Sequence, residues 1–162
     1  GEAVELYHSC EEARRELLFD AITASAQVGV GIVSAAEIDT LNILQATFRT
    51  MERAVSALPL PPRFALIDGN RAPKLSCPCR TVIAGDSLSL SIAAASIIAK
   101  VTRDRIMTEM EQLYPGYGFA AHKGYGTAAH SAALARLGPC AEHRRSFKPI
   151  AALLASADGD AR

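Results

Sequence analysis

Two short apolar runs, Phe64-Ala65-Leu66-Ile67 and Thr81-Val82-Ile83-Ala84, end in acidic turns, the first at Asp68 and the second at Gly85-Asp86. Short apolar runs bounded by turn signals read as buried strands. The carboxylate that follows each sits where the backbone leaves the sheet. Side by side, the two strands would bring Asp68 and Asp86 to one sheet edge, and carboxylate oxygens are the donors that Mg²⁺ and Mn²⁺ prefer. Each aspartate alone also fits an ordinary use. Asp68-Gly69 is a turn signal, and Gly85-Asp86 can cap a helix. The pair, followed by a small-residue helix, tips the balance toward a metal site.

That helix is Ser91-Ile92-Ala93-Ala94-Ala95-Ser96-Ile97-Ile98-Ala99-Lys100, with almost no bulk on one face. Ser89 or Ser91 can cap its start. The free N–H groups of such a start form an anion site, which would place a phosphate beside Asp86. Close packing against a sheet or another backbone explains the small residues equally well. A polar extension follows over residues 101–113, with Ile106, Met110 and Leu113 directed inward. Asp104, between Arg103 and Arg105, reads as part of a solvated, ion-paired face.

Upstream, Ser9 with Glu12 fits a capping box. It opens a helix to about Ala24 with Leu17, Leu18, Ala21 and Ile22 on its inner face. Residues 28–33 read as a strand whose glycines imply a close neighbour. Ser34 with Glu37 is a second capping box. It opens one long helix with Ile38, Leu41, Leu44, Phe48, Met51, Val55 and Leu58 on one face. Pro59, Pro61 and Pro62 stop it. The loop over residues 71–80 carries Cys77-Pro78-Cys79. With Cys140 and His143 these form a three-cysteine, one-histidine zinc candidate, but the spacings are poor and buried structural thiols are the commoner fate.

The hydrophobic fraction of 49% and charged fraction of 21% are those of an ordinary globular domain. The formal net charge of zero weighs mildly against nucleic acid. The basic residues nonetheless cluster late, at Lys123, Arg136, Arg144, Arg145 and Lys148. No apolar run approaches a membrane span and no signal peptide is visible, and four cysteines do not make a secreted disulfide framework in a chain of this size. A reducing cytoplasm is the expected location. The Gly- and aromatic-rich stretch 114–127 can bring backbone close to a ligand and offer stacking faces, or simply cover the edge of the core. Thr127 caps a helix to Leu137, closed by Gly138-Pro139. His130 reads as a surface residue on it. His143-Arg144-Arg145 suits phosphate contact beside a carboxylate pair, and is otherwise a solvated face. Residues 155–162 read as a frayed polar tail.

Several motifs occur in one order: Asp68-Gly69-Asn70, Gly85-Asp86, Ser91-Ile92-Ala93-Ala94-Ala95-Ser96-Ile97, Lys100-Val101-Thr102-Arg103-Asp104-Arg105, Tyr114-Pro115-Gly116-Tyr117-Gly118-Phe119, His122-Lys123-Gly124-Tyr125-Gly126-Thr127 and His143-Arg144-Arg145-Ser146-Phe147. Together they resemble bacterial ribonuclease HII over most of the chain. The resemblance implies an α/β fold of the ribonuclease H type: a mixed sheet flanked by helices, with a helical C-terminal part. It divides the chain into an irregular N-terminus (1–10), the domain proper (11–150) and a tail (151–162). It implies metal-dependent hydrolysis of RNA in RNA–DNA hybrids and at ribonucleotides embedded in DNA, by a monomer serving DNA replication and repair. Four carboxylates would hold two Mg²⁺ or Mn²⁺ ions, and Asp68 and Asp86 match two of them. The family's other two lie on a first strand carrying Asp-Glu-Ala-Gly-Arg-Gly, which this sequence does not contain. Its absence would leave the strand before Asp68 with an open side. Tyr125 matches a tyrosine that stacks at the RNA–DNA junction, and Lys123, Arg144 and Arg145 are the accompanying nucleic-acid contacts. Leu88 stands where a basic residue is usual. Two expectations follow from the missing strand: a chain of this length cleaves poorly, or it is a non-catalytic nucleic-acid-binding fragment. A structural domain without a ligand is the third reading.

Overall fold

The structure, a computed structural model, describes residues 12–159. In chain order it contains α1 (Glu12–Ser25), α2 (Ala35–Leu41), α3 (Ile43–Ser56), β1 (Ala65–Asp68), β2 (Cys79–Val82), α4 (Gly85–Leu88), α5 (Leu90–Leu113), α6 (Phe119–His122), α7 (Ala128–Leu137) and α8 (Lys148–Gly159). The architecture is α/β and dominated by helices. Ser9, half of the first expected capping box, lies outside the described residues. The described chain divides into two units, residues 12–32 with 47–102 and residues 33–46 with 103–159.

In the first unit β1 and β2 pair in parallel, with Ala65 opposite Cys79 and Asp68 opposite Val82. The Gly69 N–H continues the ladder to the Val82 carbonyl at 3.0 Å. Ile83 and Ala84, expected in the strand, have already left it. Ala84 adopts a left-handed conformation (φ 53°) that turns the chain into α4; this shape costs a residue with a Cβ roughly 1–2 kcal/mol. Ile67 is buried, whereas Phe64, Leu66 and Ile83 are exposed. Among the described residues the sheet has only these two strands. The interior is supplied by α5, where Ile92, Ala93, Ile97, Ile98 and Val101 are all buried. Of the small residues of this helix only Ala93 is fully buried; Ala94 and Ser96 are half-buried, and Ser91, Ala95 and Ala99 are exposed. The Ser89 hydroxyl accepts the Ile92 N–H at 3.4 Å, a long and weak cap.

Residues 28–33 form no strand. Their glycines do mark a close neighbour, but it is a helix and not a ladder partner. A Cβ at Gly31 would overlap the Thr50 carbonyl oxygen and approach the Ala54 nitrogen to 2.7 Å, and one at Gly29 would overlap the Ala54 carbonyl oxygen. The Arg53 guanidinium donates to the Ile32 carbonyl and ties the segment to α3. Gly31→Ala is therefore expected to lower stability by about 1–3 kcal/mol, the usual cost of overpacking. Thermal or urea unfolding measures it. On α1 the expected inner stripe is only partly covered: Leu18 and Ile22 are half-buried, while Leu17 is 70% exposed.

The second unit begins with α2. Its capping box is present: the Ser34 hydroxyl accepts the Glu37 N–H at 3.2 Å, and the Glu37 carboxylate accepts the Ser34 N–H at 2.9 Å. The single long helix expected here is interrupted at Asn42, which has φ 72°. With ψ 164° this lies in a backbone region occupied almost only by glycine. Its N–H closes α2 on the Ile38 carbonyl at 2.9 Å, and its side-chain oxygen accepts the Gln45 N–H at 3.1 Å to open α3. The core of this unit joins Met110, Tyr117, Phe119, Ala133, Leu134 and Ile150, with Leu153 and Leu154 packed against it. Ile150, Leu153 and Leu154 recur at helical spacing, and α8 continues through residues expected in the tail. Leu113, expected inward, is 72% exposed. No helix among the described residues is long and apolar enough to cross a membrane.

Candidate functional site

The Asp68 carboxylate accepts the backbone N–H of Gly85 at 2.9 Å. Gly85 immediately precedes Asp86, so both aspartates leave the same end of the two-stranded sheet. The turn is built for this approach. Gly85 is buried, and a Cβ there would come within 2.5 Å of Ile92 Cδ1 and 3.3 Å of the Asp68 carboxylate. Asp68 is exposed and Asp86 half-buried. Asp86 lies in the one-turn α4, which separates it from the start of α5. Leu88, on the same short turn, is 73% exposed. Among the described residues no three His, Cys, Asp or Glu side chains are grouped to hold a metal ion, and Cys77, Cys79 and Cys140 are free thiols. Of the zinc candidate, Cys77 and Cys79 lie in the first unit and Cys140 and His143 in the second.

The other candidates lie in the second unit. Tyr125 is 56% exposed, and the Arg103 guanidinium stands 5.9 Å from its ring centroid, within cation–π range. The same guanidinium donates to the Lys123 carbonyl at 3.1 Å, at the left-handed residue that ends α6. Lys123 Nζ lies 3.5 Å from the Thr108 hydroxyl. Arg144 sits over the Phe147 ring at 4.9 Å, and Arg145 is exposed.

Asp39 organises the basic loop from more than a hundred residues away. Its carboxylate accepts the Arg145 N–H at 2.7 Å and the Ser146 N–H at 2.9 Å, together with the Ser146 hydroxyl. The Ser146 hydroxyl bond, the two amides and the nearby Arg144 charge hold the Asp39 carboxyl below its ordinary pKa. No local signal pairs it with residue 145.

Between Tyr125 and Arg144 lies a group of three imidazoles, His122 and His130 buried and His143 half-buried. His130, expected at the surface, is only 7% exposed. Its Nδ1 lies 3.0 Å from the Tyr125 carbonyl, and its Nε2 lies 3.1 Å from His143 Nε2. His122 stacks on it with centroids 4.2 Å apart, donates from Nε2 to the Tyr117 carbonyl at 2.8 Å and accepts the Gly124 N–H at Nδ1. The Phe119 ring packs edge-on against His122 and His130. Asp104 is likewise buried, at 6% exposure, so its place is not the solvated face that its flanking arginines imply.

Burial lowers the pKa of both His130 and His143, and the neighbouring imidazoles lower both further. Below the ordinary imidazole value of about 6.5 the unfolded chain binds protons that the folded chain refuses. Stability is then complete above that value and is lost as pH falls through the lowered values. The Asp39 contribution persists to a lower window, being present above the ordinary carboxylate value and lost as pH falls through its depressed one. Denaturant midpoints measured from pH 8 to 3 are expected to fall in two stages, and His130→Phe is expected to flatten the first.

Comparison with known proteins shows the family. A family model described as Ribonuclease HII matches residues 10–150. The chain is 56% identical over 145 residues to the ribonuclease HII of Parvibaculum lavamentivorans, covering 89% of this chain and 54% of that protein. It is 59% identical over 138 residues to the ribonuclease HII of Geotalea uraniireducens, covering 85% of this chain and 64% of that protein. It thus spans between about half and two thirds of the length of these curated relatives. The crystal structure of the ribonuclease H2 from Pyrococcus horikoshii OT3 shares the fold, with a TM-score of 0.77 at 21% identity over 94% of this chain and 81% of the other. With nearly every motif of the sequence inside the matched region, the chain belongs to the ribonuclease HII family.

Proposed function

We propose that the chain serves endonucleolytic hydrolysis of RNA in RNA–DNA hybrids and at ribonucleotides embedded in DNA. In this reading Asp68 and Asp86 are ligands of Mg²⁺ or Mn²⁺, and Tyr125, Lys123, Arg144 and Arg145 contact the nucleic acid. The observation that carries it is the Asp68 carboxylate anchored on the Gly85 amide, at the sheet end where Asp86 emerges, in a chain of this family. Oxygen donors of this kind suit hard divalent ions. They are too few for two ions, since the described residues offer no group of three metal-ligating side chains.

That shortfall favours a second reading, in which these residues alone bind the hybrid without cutting it. Both readings require a salt-dependent interaction with phosphates. Hybrid affinity is expected to fall linearly on a log–log salt plot, and Arg145→Ala to reduce the slope by about 1. Fluorescence anisotropy of a labelled hybrid across a salt series measures it. A flat salt dependence would remove both readings. Cleavage that depends on Asp68 separates the first reading from the second.

A further inference from the structure

The Tyr125 carbonyl is the end of a row of hydrogen bonds that starts at Cys140. It accepts the Thr127 N–H at 2.8 Å and lies 3.0 Å from His130 Nδ1. Behind His130 stands His143, with the two Nε2 atoms 3.1 Å apart. Behind His143 stands Cys140, whose backbone N–H and thiol each lie 3.1 Å from His143 Nδ1. A backbone amide can only donate, and a carbonyl can only accept. Those two ends fix the protons between them. His143 accepts at Nδ1 and donates from Nε2; His130 accepts at Nε2 and donates from Nδ1 to Tyr125. The Tyr125 carbonyl then has both lone pairs in use. The rings are held in plane by neighbours: His122 is stacked on His130, and Phe119 and Tyr117 lie against His143 at centroid distances of 5.6 and 5.4 Å. Arg144 follows His143 directly in the chain.

From this arrangement we infer that His130 and His143 form a strut that sets Tyr125 relative to Arg144 and Arg145, and so act as positioning residues for the nucleic-acid contact. The inference rests on the proposed stacking role of Tyr125. A stacking ring on a glycine-flanked loop would otherwise have to be ordered when the nucleic acid arrives, and ordering at that moment costs affinity. A backbone fixed beforehand removes that cost. The row also connects two segments that are distant in sequence, the Lys123-Gly124-Tyr125 turn and the basic loop. Apolar side chains of the same volume would fill the space, yet would leave the Tyr125 carbonyl one bond short.

The test is anisotropy of a labelled RNA–DNA hybrid with His130→Gln and His130→Asn, each in the Tyr125 and the Tyr125→Ala background. The asparagine amide takes the place of Nδ1 and keeps the bond to Tyr125; the glutamine amide takes the place of Nε2 and loses it. With Tyr125 present, His130→Gln is expected to weaken binding roughly tenfold, the scale of one stacked base, and His130→Asn to recover most of that loss. In the Tyr125→Ala background His130→Gln is expected to change nothing. Equal losses in both backgrounds would mean a merely structural role and would overturn the strut. So would an unaffected His130→Gln when Tyr125→Ala does weaken binding. If Tyr125→Ala itself leaves binding unchanged, the stacking role fails and the strut with it. Should His130→Gln not fold, nitrogen-15 imidazole spectra of the unmodified chain decide. The expected pattern is Nδ1–H on His130 and Nε2–H on His143; the opposite tautomer on His130 would overturn the inference.

Discussion

A duplex carrying one embedded ribonucleotide is expected to survive incubation with this chain of 162 residues, in Mg²⁺ and in Mn²⁺ alike, or to be cut very slowly. The reason is the number of carboxylates. Asp68 and Asp86 leave one sheet end together, but no third metal-ligating side chain is grouped with them among the described residues. Mg²⁺ gives up its water reluctantly and is held weakly by so few ligands. Each lost electrostatic contribution to the transition state is worth roughly 10²–10³-fold in rate, by analogy with the loss of a single oxyanion donor. A gel assay with the labelled duplex, run beside Asp68→Asn, measures the effect. Robust cleavage abolished by that substitution would show that the two aspartates suffice with whatever ligands residues 1–11 supply.

Phe119→Ala is expected to cost about 3–5 kcal/mol, the range for removing a buried aromatic ring. Phe119 is 4% exposed and stacks on Tyr117 with centroids 5.2 Å apart. Its ring also touches all three imidazoles of His122, His130 and His143. Removing it opens a cavity in the core of the second unit and frees the rings that hold the Tyr125 turn. Urea unfolding should show the loss in midpoint at an unchanged slope. A cost below about 1 kcal/mol would mean that the site collapses around the smaller residue.

What was legible in the sequence was mostly local. Ser34 with Glu37, and Thr127 three residues before His130, are caps whose partners lie within one turn, and both are made as read. The two strands were visible because apolar runs met acidic turns, although the register moved β2 two residues earlier. The glycines of residues 28–33 announced a close neighbour but not its kind, since a helix backbone and a strand demand the same absent Cβ. Asn42 broke an unbroken apolar stripe because a single left-handed residue leaves the periodicity almost unchanged. His130 and Asp104 are buried where their positions imply exposure, for one reason. Helix position gives a residue's own face, and only the fold gives what covers it. The Asp39 carboxylate on the Arg145 and Ser146 amides is the extreme case, a bond across 106 and 107 positions that no local pattern encodes. The order of the motifs, by contrast, identified the family from the sequence alone.

The most direct measurement is cleavage of the ribonucleotide-containing duplex by a chain extended at its N-terminus with an Asp-Glu-Ala-Gly-Arg-Gly strand and its hairpin partner. If Asp68 and Asp86 are half of the metal set, the extended chain cuts in Mg²⁺ or Mn²⁺, and Asp68→Asn or Asp86→Asn each abolishes cutting without unfolding it. An extended chain that folds and stays inert, or that cuts equally well with either substitution, would contradict the assignment of Asp68 and Asp86.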